Sequence, residues 1–390
     1  MTQTYPIGVL FSRSGPYEAP GRQGYDGAMA AIAEVNARRG FGFELVPVVA
    51  DPQGNTDRYA ALCQQMIRDH RLRHVVGCTT SWSRKEVIPV VEKTDALLWY
   101  PCVYEGFEAS ENVVYVAACA NQHLVPLLDF ILPRFGRQAA LLGSNYIWGW
   151  ETNRIAREAM LHSGGAVVAE RYVPIGDIDI DHLVAEIRQK RPNFILNNLI
   201  GPSSYAFLRA YHALGQSDPD FRAEARPVIS CNLYEGETLG LGAAAAGHYT
   251  VSCYFESLAT DANRRFLADL AGAGTGTPIT AFFAESYASV MLIADAIARA
   301  GTDAIAPVLQ AAASRRISSP LGEIVVDPVT HHVALPAHIG RARADGSFEI
   351  VQLAGRSIDP DPFLTRTSLH LGDATPRHPA AQGAVLRVVS

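Results

Sequence analysis

The sequence predicts an α/β protein built from two doubly wound parallel-sheet lobes. Three observations lead there. Short apolar runs alternate with amphipathic stretches of helical length. The alternation restarts after Asn121-Gln122-His123 with the same order of elements, although no letter-by-letter repeat accompanies it. At 390 residues the chain also exceeds what one ordinary core holds, so two domains are expected.

The first series opens with a strand over 7–11, continuously apolar as a strand buried on both faces should be. Ser12-Arg13-Ser14-Gly15-Pro16 breaks it, and an amphipathic helix is expected over 24–39, closed by Gly40. A strand over 43–50 runs through the turn 51–57 into a helix over 58–70. Strands over 74–77, 96–100 and 113–117 complete this sheet. Between the first two lies a helix over 85–94, with Val87, Ile88, Val90 and Val91 at helical spacing.

The second series gives a helix over 124–135, a strand over 138–143, a helix over 151–162 and a strand over 166–173. A helix over 181–190, a strand over 193–199, a helix over 203–214 and a strand over 227–231 follow. Strands separated by helices imply right-handed βαβ units. After a strand over 249–255 come a helix over 261–270, a glycine-rich turn over 272–278 and a strongly apolar helix over 281–300. Beyond 317 the stretches 323–327, 333–342 and 348–353, with Asp345-Gly346 as a tight turn, predict antiparallel strands. From 356 the Pro-, Thr- and His-rich chain is expected to wrap the surface or fray.

Crossings between lobes are expected near 119–124, 248–258 and 327–333. One lobe is then 1–121 with 256–328, the other 122–255 with 329–355, and 356–390 is a tail. Several crossings make a multi-strand hinge, on which a ligand can shift an open–closed equilibrium.

Composition excludes several functions. The net charge of −6, without a Lys/Arg cluster, gives no surface for direct nucleic-acid binding. No run of eighteen apolar residues predicts a membrane span. The first residues lack the pattern of a secretory signal, which favours the cytoplasm; the periplasm is the alternative if a leader was removed. The six cysteines are scattered singly and read as small hydrophobes. His331, His332 and His338 read as surface residues, since neighbours on a strand face opposite ways, which weakens a shared metal site. There is no G-x-S-x-G elbow, P-loop, H-E-x-x-H helix or paired-cysteine site. The glycines at 272–278 lack the lysine of a phosphate loop. No cofactor, metal site or catalytic group is therefore expected.

Candidate binding residues gather in turns beyond strand ends, where open parallel sheets hold ligands. Thr79, Thr80, Ser81 and Ser83 exceed what one helix cap needs, and such a helix start can hold a carbonyl or carboxylate oxygen. The turn after Tyr100 carries Cys102, Val103 and Tyr104-Glu105-Gly106-Phe107-Glu108. A third turn sets Tyr146 beside Trp148 and Trp150 as a flat apolar wall with polar tips.

These stretches, with Ile7-Gly8-Val9-Leu10-Phe11-Ser12, Pro89-Val90-Val91-Glu92, Asn121-Gln122 and Ile358-Asp359-Pro360-Asp361-Pro362, carry a resemblance along nearly the whole chain. The sequence resembles the type I periplasmic-binding-protein family, in the branch of leucine-type receptors and amide-binding regulators of aliphatic amidase operons. That resemblance implies a non-enzymatic cytoplasmic sensor. A small amide would close its lobes and control an antiterminator protein partner; a homodimer is compatible with this. The alternative it implies is the substrate-binding component of an ABC importer for short amides, urea or amino acids, working with a permease. Carried over by position, the ligand contacts are Ser81, Tyr100, Cys102, Tyr146, Trp148 and, through a looser match, Asn232.

The chain departs from that branch at four positions. The branch has tyrosine at the position of Thr79, threonine at Cys102, proline at Val103 and tyrosine at Trp148. A thiol donates hydrogen bonds poorly. The smaller Thr79 opens one wall while Trp148 fills the other. The expected ligand is bigger or flatter than acetamide, and neutral or singly charged.

Overall fold

The computed structural model describes residues 2–38, 40–271 and 278–372. Its first sheet collects β1 (Gln3–Leu10), β2 (Phe43–Ala50), β3 (His74–Gly77), β4 (Leu97–Tyr100) and β5 (Val113–Tyr115). They pair in the order β2-β1-β3-β4-β5, all parallel. The crossover helices are α1 (Glu18–Ala37), α2 (Arg58–His70) and α3 (Ser81–Lys93).

The second lobe contains α4 (Leu124–Phe135), β6 (Gln138–Ser144), α5 (Ile147–His162), β7 (Ala166–Val173) and α6 (Asp181–Lys190). It continues through β8 (Phe194–Asn198), α7 (Pro202–Ser217), β9 (Val228–Ser230), the short α8 (Glu235–Thr238) and β10 (Tyr249–Ser252). The chain then returns to the first lobe as α9 (Asp261–Ala271), α10 (Ala281–Ala300), α11 (Ile305–Ser314) and the hairpin β11 (Ile317–Ser319)–β12 (Gly322–Ile324). It re-enters the second sheet as β13 (His338–Ala342) and β14 (Phe348–Gln352), giving the order β14-β13-β10-β9-β8-β6-β7. Only the pairings β10–β13 and β13–β14 are antiparallel in this sheet.

Helix α10 is long and apolar enough to cross a membrane, yet 89% of its apolar window is buried inside the fold. It is the core helix of the first lobe, packed against α1. A Cβ on Gly27 would lie 2.2 Å from the carbonyl oxygen of Phe283, so only glycine permits this crossing.

That packing corrects one expectation. Helix α1 starts at Glu18 and not at 24, because Pro20 occupies its first turn, where no N–H is needed. Gly21 and Gly24 lie on its contact face, against the Ser12 carbonyl and the Phe11 ring. Helix α3 likewise starts at Ser81, four residues before the expected 85, and α5 at Ile147, so the polar and aromatic turns are themselves first helical turns. The strand expected over 323–327 is β12 of a separate hairpin, and the one expected over 333–342 begins only at His338. Pro328 and Pro336 remove ladder donors from the stretch between, which makes isolated bridges at Tyr115–His332, Val326–Val333 and Leu335–Ile358. Helices α8 and α11 had no counterpart in the sequence reading.

The histidine expectation is also corrected. His332 and His338 are buried. The His332 ring stacks on Tyr115 at 4.2 Å, its Nδ1 bonds the Thr330 carbonyl at 2.6 Å, and its Nε2 bonds the Tyr104 hydroxyl. The last described segment ties the lobes' junction together. Asn121 Nδ2 donates to the Asp359 carbonyl at 2.8 Å, and Gln122 Nε2 to the carbonyls of Val333 and Ile358 at 2.9 Å each. The remainder of the expected tail and all but the last residue of the 272–278 turn lie outside the described residues.

Candidate functional site

The hydroxyl-rich turn divides its labour. Thr80 caps α3: its Oγ1 accepts from the Ser83 N–H at 3.0 Å, while the Thr80 N–H donates to Ser83 Oγ at 3.1 Å. Thr79 and Ser81 are left over from the cap. Both line a cavity between the lobes of about 470 Å3, counting its mouth.

The first lobe contributes Thr79, Thr80, Ser81, Cys102 and Val103 to that cavity, together with Tyr17 and Phe282. The second contributes Tyr146, Trp148, Asn232 and Glu237. The lobes meet over it, since Pro16 and Gly201 also line the cavity from opposite sides. Gly201 has φ +55, and a Cβ there would lie 2.6 Å from the Pro16 carbonyl oxygen. Tyr100 is not part of the wall. It is buried behind it, with the Arg84 guanidinium 4.8 Å from its ring centroid.

The polar tips have distinct states. Trp148 Nε1 and the Tyr17 hydroxyl are buried without a partner, two donors available to whatever fills the space. His123 packs on the Trp148 ring at 5.6 Å and bonds the Tyr104 carbonyl through Nε2 at 2.9 Å, which fixes the indole against the lobe junction. Thr79 Oγ1 shares a hydrogen bond of 3.2 Å with Tyr59. Asn232 Oδ1 accepts from Ser230 at 2.8 Å, so its amide N–H groups remain as donors. Glu237 accepts from the Tyr205 hydroxyl at 2.7 Å, and burial pushes its carboxyl up to about 7.

Ser81 and Cys102 are not arranged as nucleophiles. Ser81 hydrogen-bonds a carboxylate and not an imidazole. The Cys102 thiol is pushed up to about 12 by burial and donates to the Thr79 carbonyl at 3.1 Å. Among the described residues no group of three His, Cys, Asp or Glu could hold a metal.

Comparison with known proteins places this architecture. The sequence profile of the family described as periplasmic binding protein domain matches residues 5–369. The chain belongs to that family. This periplasmic-binding-protein family member is 24% identical over 327 residues to the Leu/Ile/Val-binding protein BraC3 of Rhizobium johnstonii, covering 82% of this chain and 86% of that one. A shorter match, 32% identical over 124 residues, is to a Geobacillus stearothermophilus protein named limonene hydroxylase, and spans 32% of this chain but only 23% of that one. Among solved structures, an ABC-transporter solute-binding protein of R. palustris in complex with 4-hydroxybenzoate superposes with a TM-score of 0.83. The two are 20% identical, and the match covers 94% of this chain and 100% of that one. The branched-chain amino acid binding protein LivJ of Streptococcus pneumoniae, in complex with isoleucine, gives 0.77 at 18% identity, covering 92% and 100%. These structural likenesses establish the fold.

The binding protein's cavity also uses residues that sequence reasoning passed over: Pro16, Tyr17, Gly201, Glu237 and Phe282. The first three follow strands β1 and β8, so the rule that picked the other turns covers Gly15-Pro16-Tyr17 and Gly201-Pro202 as well. Glu237, on the short α8, and Phe282, in the first turn of α10, carried no local signal.

Proposed function

We propose that the chain is the substrate-binding component of an ABC importer, a non-enzymatic periplasmic receptor that closes on one small, flat, polar organic molecule. The observation that carries this reading is a cavity roofed by both lobes, walled by the rings of Tyr17, Tyr146, Trp148 and Phe282. Flat walls with a few convergent polar tips suit a planar ligand. Structural neighbours include ABC-transporter solute-binding proteins in complex with 4-hydroxybenzoate and benzoate, and a branched-chain amino acid transporter substrate-binding protein in complex with isoleucine. They support an importer more than the amidase-operon sensor with its antiterminator partner and cytoplasmic location, which rests on the resemblance alone.

In this reading Thr79, Ser81, Cys102, Val103, Tyr146, Trp148 and Asn232 contact the ligand, and Tyr100 supports them from behind. The lobes are 1–121 with 256–328 and 122–255 with 329–355. An amide, a small aromatic acid or an amino acid falls within the ligand class.

The test is mass spectrometry of whatever the purified protein retains, followed by uptake of that compound in cells lacking the gene. Reduced uptake is expected. Normal uptake together with lost induction of a neighbouring operon would replace the importer by the sensor.

A further inference from the structure

At the start of α3 and in the turn after β4, the hydroxyl and thiol protons that border the cavity are already committed. Thr80 Oγ1 donates to Ser83 Oγ at 3.1 Å, and Cys102 Sγ donates to the Thr79 carbonyl. Ser81 Oγ hydrogen-bonds Glu105 Oε2. Glu105 is 1% exposed and lies outside the cavity wall; its other oxygen receives Arg84 Nη2 at 3.0 Å. Arg84, with no exposed side-chain surface, also donates through Nε to Glu108 at 2.6 Å, and Glu108 takes Lys85 Nζ at 2.7 Å. Two cations face two carboxylates in this cluster, and the Glu105 carboxylate, ion-paired with Arg84, only accepts. The single proton of Ser81 therefore points into the lobe, and the hydroxyl turns lone pairs to the cavity.

We propose that Glu105 sets the specificity of the cleft without touching the ligand. By holding the Ser81 proton it makes Ser81 an acceptor-only contact, so the wall selects a ligand group bearing N–H or O–H there over a bare carboxylate. Glu105 is a positioning residue, and Ser81 is the contact it tunes. The inference rests on the reading that this cavity is the ligand site.

Benzamide and benzoate test it, because they share a flat ring and differ in the N–H. Calorimetric titration of the full chain at pH 7 is expected to favour benzamide by about tenfold. In Glu105→Gln, Arg84 still demands an acceptor, so the new amide oxygen stays on Arg84 and the amide N–H faces Ser81. That frees the serine proton for the cavity, and the preference falls severalfold or reverses. A merely structural role would weaken both ligands alike and leave the ratio unmoved.

Ser81→Ala leaves the Arg84 cluster in place and serves if the glutamine variant fails to fold. It is expected to weaken benzamide and leave benzoate unchanged. Binding in which benzoate wins, or a ratio that neither variant moves, overturns the role of Glu105 and leaves the binding-protein reading standing. Absence of binding by both compounds, and by a wider panel of amides, amines and carboxylates, overturns the flat-ligand reading and this inference with it.

Discussion

Arg154, on α5 of the second lobe, holds its guanidinium carbon 4.6 Å from the centroid of the Phe107 ring on the first lobe. Phe107 sits on a turn that cannot drift: its N–H donates to the Pro362 carbonyl at 2.8 Å, and Gly106, at φ +88, packs against the same carbonyl. The pair is thus a cation–π latch between a fixed ring and a cation anchored by Glu151 and Glu158, each at 2.8 Å. At a partly exposed site such a contact contributes about 0.5–1 kcal/mol. Phe107→Ala should weaken ligand binding roughly twofold to fivefold and enlarge the ligand-free radius of gyration measured by X-ray scattering. Unchanged affinity and radius would show that the latch contributes nothing to closure.

Gly201→Ala probes the closure itself. The added methyl would meet the Pro16 carbonyl, and φ +55 there favours glycine, at a cost of about 1–3 kcal/mol for another residue. The collision is between lobes while the backbone strain is local to the second, so melting should fall by several degrees and affinity by at least about tenfold. Affinity within twofold of the unmodified protein would mean that the lobes bind without meeting at this point.

The sheets were legible because buried parallel strands are short apolar runs, and β1, β2, β3 and β4 stand where such runs lie. Helix starts were less so. The periodicity that marks α3 begins at Lys85, whereas the cap that starts it is a Thr80–Ser83 exchange with no apolar signature. His332 read as exposed because strand alternation says nothing about a segment crossing between lobes; its neighbours, Tyr104 and Tyr115, are more than two hundred residues away in sequence. The same holds for Glu237 and Phe282, which reach the cavity only through the tertiary arrangement of α8 and α10.

The Arg84 cluster predicts a large stability effect. Its guanidinium also lies over the Tyr104 ring at 4.6 Å, so it is enclosed by two rings and two carboxylates. Removing one partner of a buried pair leaves an uncompensated charge, at about 3–5 kcal/mol. Arg84→Met should lower the unfolding free energy by that order in urea titration, and Arg84→Met combined with Glu105→Gln should recover part of it. A loss below about 1 kcal/mol would place the cluster among weak surface pairs.

Stability should peak near neutrality, from two opposed sets of buried groups. Burial lowers His74, His123, His332 and His338 from 6.5 to about 4, and His248 to about 3. The unfolded chain therefore binds protons that the fold refuses, and this contribution, complete above pH 6.5, is lost as pH falls toward 4. Burial raises Glu235 from 4.5 to about 8 and Glu237 to about 7, and holds Glu285 well above its usual range. There the fold keeps protons that the unfolded chain releases, so stability present below pH 4.5 is lost as pH rises toward 7 and 8. Between pH 4.5 and 6.5 the five histidines outnumber the three carboxyls, and from 6.5 to about 8 the carboxyls act without them. The melting temperature should therefore be highest near pH 6.5 and fall on both sides. His338→Gln should flatten the acid limb and Glu235→Gln the alkaline one; a melting temperature that climbs steadily to pH 9 would contradict the burial of the carboxyls.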